Sequence, residues 1–340
     1  MRVLLGLAPV ACFLGALMAL DSYKLVKLHR VLAILAAGAV LAGLSYFING
    51  ALLERFDIGF AAFTWYVAPV IEELLKAAVV VALIRLHRVG FLVDAAIAGF
   101  AVGTGFAMVE NVLYLQIAPD APLGAWLVRG FGTAIMHGGA TAIFAVLGLS
   151  MIERHDRAGF TAFFPGLAAA IVLHSTFNHF FFSPLISTVG IAVLLPVLLQ
   201  LVFARSERAV GNWLGTGFDA DTEMLELINS GKLSDSPVGR YLHQLKQKFQ
   251  GPVVADLVCY LRLHTELALR AKGILMMRES GFEATIDEAT RDKFAEMHYL
   301  ERSIGHTGRL AIMPLLHSGH KDLWQLRMLE GEVLSPSRAS

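Results

Sequence analysis

Ionisable side chains interrupt four long apolar stretches of this sequence. Within a membrane-length apolar helix such groups are costly, so each is a candidate functional residue. Carboxylates and histidines in this setting suggest acid–base or metal chemistry in a site shielded from bulk water. They occur in the segments VIEELLKAAVV (Glu72, Glu73, Lys76), GFAMVENVLY (Glu110, Asn111), AIMHGGATAIF (His137) and LHSTFNHFF (His174, Asn178).

The depths of these residues in their stretches overlap. Glu72 and His137 each lie about 12 residues from the same predicted end of a helix, or roughly 18 Å at 1.5 Å per residue. Glu110 and His174 lie somewhat nearer that end. Polar groups at overlapping depths on four helices are expected to converge on one site.

The spacing within the motifs predicts how the side chains are arranged. Glu72 and Lys76 are four residues apart, so they share a helix face and are expected to pair. That pairing leaves Glu73 as a general base for water, with Glu72 as its partner and Lys76 orienting the pair. His174 and Asn178 are also four residues apart and are expected to point into one cavity.

Two kinds of hydrolytic chemistry suit this set. A buried carboxylate can act as a general base toward water while histidine and asparagine stabilise an oxyanion. Alternatively, His137, His174 and Glu110 form a catalytic zinc set with one position open for water. The sequence contains no serine nucleophile elbow, and Cys12 is remote from the motifs. An activated water is therefore expected rather than a covalent nucleophile.

Each feature also has a purely structural explanation. A buried ion pair, a packed His137 and a His174–Asn178 hydrogen bond between helices would each be unremarkable alone. Asp94 and Arg129 lie near the ends of their stretches, where Arg129 can snorkel, and both are interpreted as structural. The conjunction of three carboxylates, two histidines and an asparagine at one depth favours a functional site.

The composition indicates a membrane protein. The chain is 56% hydrophobic and only 16% charged, with no net charge, which argues against a soluble globule or a nucleic-acid binder. About seven apolar stretches approach the ~20 residues that a transmembrane helix needs. The predicted fold is an all-α polytopic membrane bundle with spans near 2–20, 31–50, 60–84, 93–117, 125–150, 160–182 and 187–204.

Basic loops predict the orientation in the cell membrane. Because Lys and Arg mark the cytoplasmic side, the N-terminus is expected outside and the C-terminal part in the cytoplasm. The first stretch could instead be a signal peptide, but it has only Arg2 before it and a basic loop after it. The basic loops contain Lys24, Lys27 and Arg30, then Arg85 and Arg88, then Arg154 and Arg157, and finally Arg205 and Arg208.

Charge density rises to near-normal after Arg205, which divides the chain into two predicted domains. Residues 1–205 form the membrane domain, and residues 206–340 form a cytosolic helical domain. Acid-first, glycine-terminated segments predict helices there, and SDSPVGRY predicts a turn or linker. This domain contains no catalytic motif, so it is expected to regulate the membrane domain or to bind a cytosolic partner.

Together, the four motifs resemble the PrsW family of intramembrane proteases, which is related to the type II CAAX prenyl endopeptidases. The shared order is EExxK, then FxxxEN, then His, then HxxxN, from Glu72 to Asn178. The resemblance covers most of the membrane domain and does not extend to residues 206–340. It implies proteolysis of a membrane protein, and in PrsW relatives site-1 cleavage of an anti-sigma factor. Glutamic and zinc-dependent mechanisms are both compatible with these residues.

The predicted function is that of an intramembrane endopeptidase that binds lipid bilayer and a membrane-protein substrate, with Zn²⁺ as the cofactor if the mechanism is metal-dependent. Two other classes of protein would also carry such residues. A proton-coupled transporter also uses buried carboxylates and histidines, but the sequence shows no repeated halves. A non-catalytic sensor or accessory protein would signal through its cytosolic domain.

Overall fold

The computed structural model describes residues 1–154, 159–282, 286–316 and 319–333, which form helices joined by turns. Contacts divide the chain into two compact units, Met1–Glu207 and Arg208–Ser340. Arg157, one of the residues behind the predicted orientation, lies outside the described residues. The two units are taken in turn.

Seven longer helices are described in the first unit, and short helical, π-helical or 3₁₀ segments precede three of them. A helical turn, Phe60–Ala62, and a π-helical turn, Phe63–Val67, lead into the third helix. A short helix, Leu123–Leu127, and a second π-helical turn, Val128–Thr133, lead into the fifth. A 3₁₀ turn, Phe160–Phe163, leads into the sixth. The helices are α1 (Arg2–Ala19), α2 (Leu28–Arg55), α3 (Ala68–Arg85), α4 (Leu92–Ile117), α5 (Ala134–Arg154), α6 (Phe164–His179) and α7 (Pro184–Asn229), which continues past the unit's end.

Six stretches of the described chain are long and apolar enough to cross a membrane, which confirms the predicted all-α polytopic bundle. They correspond to all the predicted spans except that of residues 60–84. Helix α3 is not among them because Glu72, Glu73 and Lys76 make it too highly charged for an apolar span. Two of these charged side chains are fully packed inside the protein, so α3 remains a predicted seventh span.

Helix α4 is the centre of the bundle, and its small residues allow close packing. A Cβ at Gly103 would lie 2.3 Å from the carbonyl oxygen of His137, so α4 and α5 meet backbone to backbone. Small residues permit this close approach. In a lipid bilayer the hydrophobic effect does not drive helices together, so close van der Waals packing stabilises their association instead. The contact holds His137 against α4, beside the position of Glu110.

Helix α1 braces the turn that precedes α5. A Cβ at Gly130 would lie 1.7 Å from the carbonyl oxygen of Leu5, so any side chain there would push the two segments apart. At the next residue of α1, Asn111 Nδ2 of α4 donates to the carbonyl oxygen of Gly6 at 2.7 Å. The turn Val128–Thr133 is therefore held from one side by α1.

Asp94 has the structural role that its position predicted. Its carboxylate accepts hydrogen bonds from the backbone N–H groups of Gly90, at 2.8 Å, and Phe91, at 2.7 Å. Both donors precede the first turn of α4, where backbone N–H groups have no partner within the helix. Asp94 thus caps the start of the central helix.

The second unit contains the end of α7 and four further helices, α8 (Pro237–Leu245), α9 (Gly251–Glu279), α10 (Glu288–Ile312) and α11 (His320–Val333). The segment SDSPVGRY, predicted as a turn or linker, begins in a 3₁₀ turn, Lys232–Asp235, and continues into α8, which Ser236 Oγ caps by accepting the N–H of Gly239. A buried ion pair lies within the unit, with Lys272 Nζ 2.7 Å from Asp221 Oδ2.

Candidate active site

The four predicted motifs meet at one cavity of about 700 Å³ in the first unit. The cavity is lined by five of the predicted site residues and by one that the sequence analysis set aside, Arg129. The remaining two, Glu73 and Lys76, lie behind its wall and are almost completely buried. The lining side chains are Glu72, Glu110, Arg129, His137, His174 and Asn178, among apolar and small neighbours.

Lys76 pairs with Glu73 rather than with Glu72. Lys76 Nζ donates to Glu73 Oε1 at 2.5 Å, and the same oxygen lies 2.8 Å from His174 Nδ1. The predicted Glu72–Lys76 pair is therefore wrong. The physical reason is the helix face: Glu73 and Lys76, three residues apart, both point into the bundle, whereas Glu72 lies on the side of the cavity.

Glu72 is the α3 carboxylate that faces the cavity. Its Oε1 accepts a hydrogen bond from Asn49 Nδ2 of α2 at 3.1 Å. Its Oε2 lies 3.9 Å from His174 Nε2, which is too far for a direct hydrogen bond. Asn49 was not predicted as a site residue; an amide near the end of the apolar stretch 31–50 was the available signal.

His137 lies between two charged groups. Its Nδ1 is 3.0 Å from Lys76 Nζ, and its Nε2 is 2.8 Å from Glu110 Oε2. The rings of His137 and His174 meet edge to face with centroids 4.7 Å apart. The two histidines, predicted from separate helices, are therefore in direct contact.

Arg129 belongs to the site and does not snorkel. Its Nη2 donates to Glu110 Oε1 at 2.9 Å and its Nε to Asn111 Oδ1 at 2.8 Å. The guanidinium carbon lies 3.4 Å from the centroid of the Tyr114 ring. The predicted snorkelling of Arg129 is wrong, because Glu110 and Asn111 supply acceptors inside the bundle; the predicted structural role is not contradicted by these contacts. Arg129 is followed by Gly130 and Gly132 in the segment before α5. Glycines at this spacing indicate close helix packing, and this was the available signal that Arg129 points inward.

Asn178 connects α6 to the π-helical turn before α3. Its Nδ2 donates to the carbonyl oxygen of Thr64 at 3.1 Å, and Ser175 Oγ donates to that of Trp65 at 2.6 Å. His179 stacks on Trp65 with ring centroids 4.9 Å apart and is not among the cavity-lining residues. At least one donor of Asn178 is thus already used within the protein.

Glu72, His137 and His174 could hold a metal ion together. Each offers one ligand atom, and the three atoms lie within 4.8 Å of one another. Two imidazoles and a carboxylate are a ligand set of catalytic zinc sites. The contact of His174 Nδ1 with the Glu73 carboxylate is the support that metal-binding histidines usually have. The residues therefore fit a divalent metal, with Glu72 in the place that the sequence analysis gave to Glu110.

A polytopic helix bundle whose buried cavity combines carboxylates with a potential His–His–Glu metal site has the features of an intramembrane hydrolase. Residues 27–204 match the PrsW-protease family, described as PrsW family intramembrane metalloprotease. The match spans more than half of the chain, and the chain belongs to this family. Neither a curated protein nor a solved structure matches it. The protein is accordingly a multi-pass membrane protease that acts on membrane-protein substrates.

Proposed function

We propose that this protease hydrolyses a peptide bond of a single-pass membrane protein inside the cavity, with an anti-sigma factor as the first candidate substrate. The observation that carries the proposal is the meeting of Glu72, His137 and His174 within 4.8 Å, beside a cavity large enough for a peptide segment. The family resemblance supplies the candidate substrate.

Zinc is the proposed cofactor. Glu72, His137 and His174 would hold it, and bound there it would supply a Lewis acid for the attacking water. The contact between His174 Nδ1 and Glu73, at 2.8 Å, holds the ring so that Nε2 is directed to the cavity side. Glu73 thereby acts as a positioning residue in this proposal, supported by Lys76.

Glu110 is the proposed general base. It lines the cavity although Arg129 binds its Oε1, whereas the Glu73 side chain lies behind the wall and its Oε1 is held by both Lys76 and His174. As the water oxygen attacks the carbonyl carbon, Glu110 takes a proton from the water and the carbonyl π electrons move to oxygen. When the C–N bond breaks, that proton passes to the departing amine nitrogen.

One contact favours the alternative mechanism, in which carboxylates alone activate the water. Lys76 Nζ lies 3.0 Å from His137 Nδ1. If this ammonium group donates the hydrogen bond, neutral His137 carries its own proton on Nε2, the atom that would otherwise bind the metal. Metal analysis of the active protein decides between the two mechanisms.

The cavity opens toward the ends of helices that we propose to be extracytoplasmic. Ala121 in the α4–α5 connection, Ser183 in the α6–α7 connection and Thr64 before α3 all line it. In a bundle of alternating helices these three connections share one face, and the basic loops share the other. The positive-inside rule then places the cavity mouth outside and the second unit in the cytoplasm.

We propose that residues 206–340 form a cytosolic domain that regulates the protease or binds a partner. Among residues with described positions, the one cluster suited to a metal lies in the first unit, and none was found in the second. The family match ends at residue 204, which supports a role for the second unit separate from the protease domain.

The experiment is cleavage by the purified full-length protein in proteoliposomes that also contain single-pass membrane proteins, including anti-sigma factors. Mass spectrometry of the products locates the cut. Glu72→Gln and Glu110→Gln are expected to abolish cleavage, whereas Glu54→Gln, at an exposed carboxylate outside the cavity, is the matched control. Cleavage that survives in Glu72→Gln and Glu110→Gln would overturn the proposed site.

A further inference from the structure

Arg129 is the one permanently positive side chain among the described residues that line the cavity. It lies on the π-helical turn Val128–Thr133, next to Glu110, and its side chain is 15% exposed. Its charged partner in the cavity is Glu110, whose Oε1 lies 2.9 Å from Nη2 of Arg129. A cation in this position can stabilise negative charge that develops on a bound substrate.

The hydrogen-bond inventory of Arg129 leaves donors for a ligand. A guanidinium group has five N–H donors. Nε donates to Asn111 and Nη2 donates once to Glu110. Nη1 has no acceptor among the residues that the structure describes, and neither has the second N–H of Nη2. Three donors thus remain available on a side chain that the cavity can reach.

The guanidinium group is held rigidly. It lies on the Tyr114 ring at 3.4 Å, and its partner Asn111 is itself tied to the carbonyl oxygen of Gly6 in α1. The close backbone contact of Gly130 with Leu5 anchors the turn that carries it. Donors that are oriented before the reaction are the effective ones in oxyanion stabilisation, because little reorganisation is needed as charge develops.

The other candidate donors at the cavity have partners within the protein. One N–H of Asn178 Nδ2, the donor predicted for the oxyanion, bonds to Thr64. Both ring nitrogens of His137 face Lys76 and Glu110, and Nδ1 of His174 faces Glu73, while its Nε2 is assigned to the metal in the proposed mechanism.

We propose that Arg129 binds the scissile carbonyl oxygen of the substrate and stabilises it as an oxyanion. This rests on the proposed peptide hydrolysis and assigns a catalytic residue to it. The carbonyl oxygen accepts hydrogen bonds from the N–H groups of Arg129. It gains the π electrons of the C=O bond as water adds to the carbonyl carbon. No proton leaves Arg129, and the negative charge returns to the C=O bond when the C–N bond breaks.

The kinetic test compares Arg129→Gln with Arg85→Gln. Arg85 is the last residue of α3 and does not line the cavity. Its guanidinium carbon lies 4.6 Å from the centroid of the Phe160 ring, so it is a matched control for an arginine stacked on an aromatic ring. Arg129→Gln is expected to lower kcat by roughly 10²–10³, the usual loss of an oxyanion donor, with a much smaller change in KM and unchanged metal content. Arg85→Gln should cleave as the parent does.

A binding test separates direct contact from an effect through Glu110. The probe is a phosphinic peptide, whose tetrahedral anion resembles the intermediate, and its affinity is measured in the inactive Glu110→Gln protein with and without Arg129→Gln. A drop of roughly 10²–10³ from the second substitution supports contact with the oxyanion. Equal affinities in the two proteins would overturn it. Failure of the parent protein to prefer the phosphinic peptide over its amide counterpart would instead refute the proposed hydrolysis.

Discussion

Glu73 Oε1 lies 2.8 Å from Nδ1 of His174, and this contact joins α3 to α6 behind the cavity wall. The same oxygen accepts a hydrogen bond from Lys76, so one buried carboxylate serves two cationic or N–H partners. Its neighbour in sequence, Glu72, faces the cavity instead. Two adjacent glutamates therefore have different surroundings and are expected to respond differently to the same substitution.

Glu73→Gln is expected to destabilise the protein, because it leaves the buried Lys76 charge without its carboxylate. Removing one partner of a buried pair typically costs about 3–5 kcal/mol. Glu72→Gln removes a carboxylate that is bonded to Asn49 and should leave stability close to that of the parent while abolishing cleavage. Thermal unfolding in detergent, with cleavage measured on the same preparations, checks both. Equal stability of the two variants would contradict the geometry.

Zinc content should depend on His174 and not on His179, which lies five residues further along the chain. His174→Ala removes a ligand in the proposed set, so bound zinc and activity should fall together. His179→Ala alters an aromatic stack outside the cavity lining and should keep the metal. Chelator-treated parent protein should recover activity when zinc is returned. Active parent protein without stoichiometric metal would favour activation of water by the carboxylates alone.

Asn178→Ala should resemble Ser175→Ala. Both side chains hydrogen-bond to carbonyl oxygens of the turn Phe63–Val67, so each loss is expected to cost about 0.5–1.5 kcal/mol of stability. Metal content should remain unchanged in both variants. Unfolding midpoints and cleavage rates are the measurements. If Asn178→Ala lost roughly 10²–10³ in rate at full stability, the oxyanion role predicted from the sequence would be correct after all.

The proposed orientation predicts the results of reporter fusions. A reporter enzyme that works only outside the cytoplasm should be active at residue 120, between α4 and α5, and inactive after Arg208. A cytoplasmic reporter should give the reverse pattern. Activity of the external reporter after Arg208 would show that α3 does not span the membrane or that the orientation is inverted.

In the second unit, Lys272→Met should be far more damaging than Arg262→Ala. Lys272 and Asp221 are both buried, and removing one partner of a buried ion pair typically costs about 3–5 kcal/mol. The Arg262 side chain is 54% exposed in its pair with Glu266, and such surface pairs contribute about 0–1 kcal/mol. Chemical denaturation of the full-length protein, followed by fluorescence of Trp213 and Trp324, tests the difference.

The sequence predicted the helical bundle and the convergence of its four motifs because hydropathy and depth are properties of single helices. It failed at Lys76, whose choice between Glu72 and Glu73 depends on how α3 is rotated against α5 and α6. It failed again at Arg129, since snorkelling and inward pairing differ only in which acceptors neighbouring helices supply. Both errors concern the direction of a side chain. Local spacing shows which residues share a helix face, but it does not show which neighbouring helix that face contacts.

The two π-helical turns make the length of the chain, and not only its side chains, a determinant of the site. A π-helical turn accommodates an extra residue within an otherwise α-helical path. Deleting one residue from Phe63–Val67 or from Val128–Thr133 would let a regular α-helix form with little rotation of the flanking segments, but it would change the directions of the side chains within the turn itself. Thr64 would then turn away from Asn178, and Arg129 away from Glu110. A one-residue deletion in either turn should therefore be as harmful as the loss of a site residue, whereas the connection at residues 118–121 should tolerate changes in length more readily.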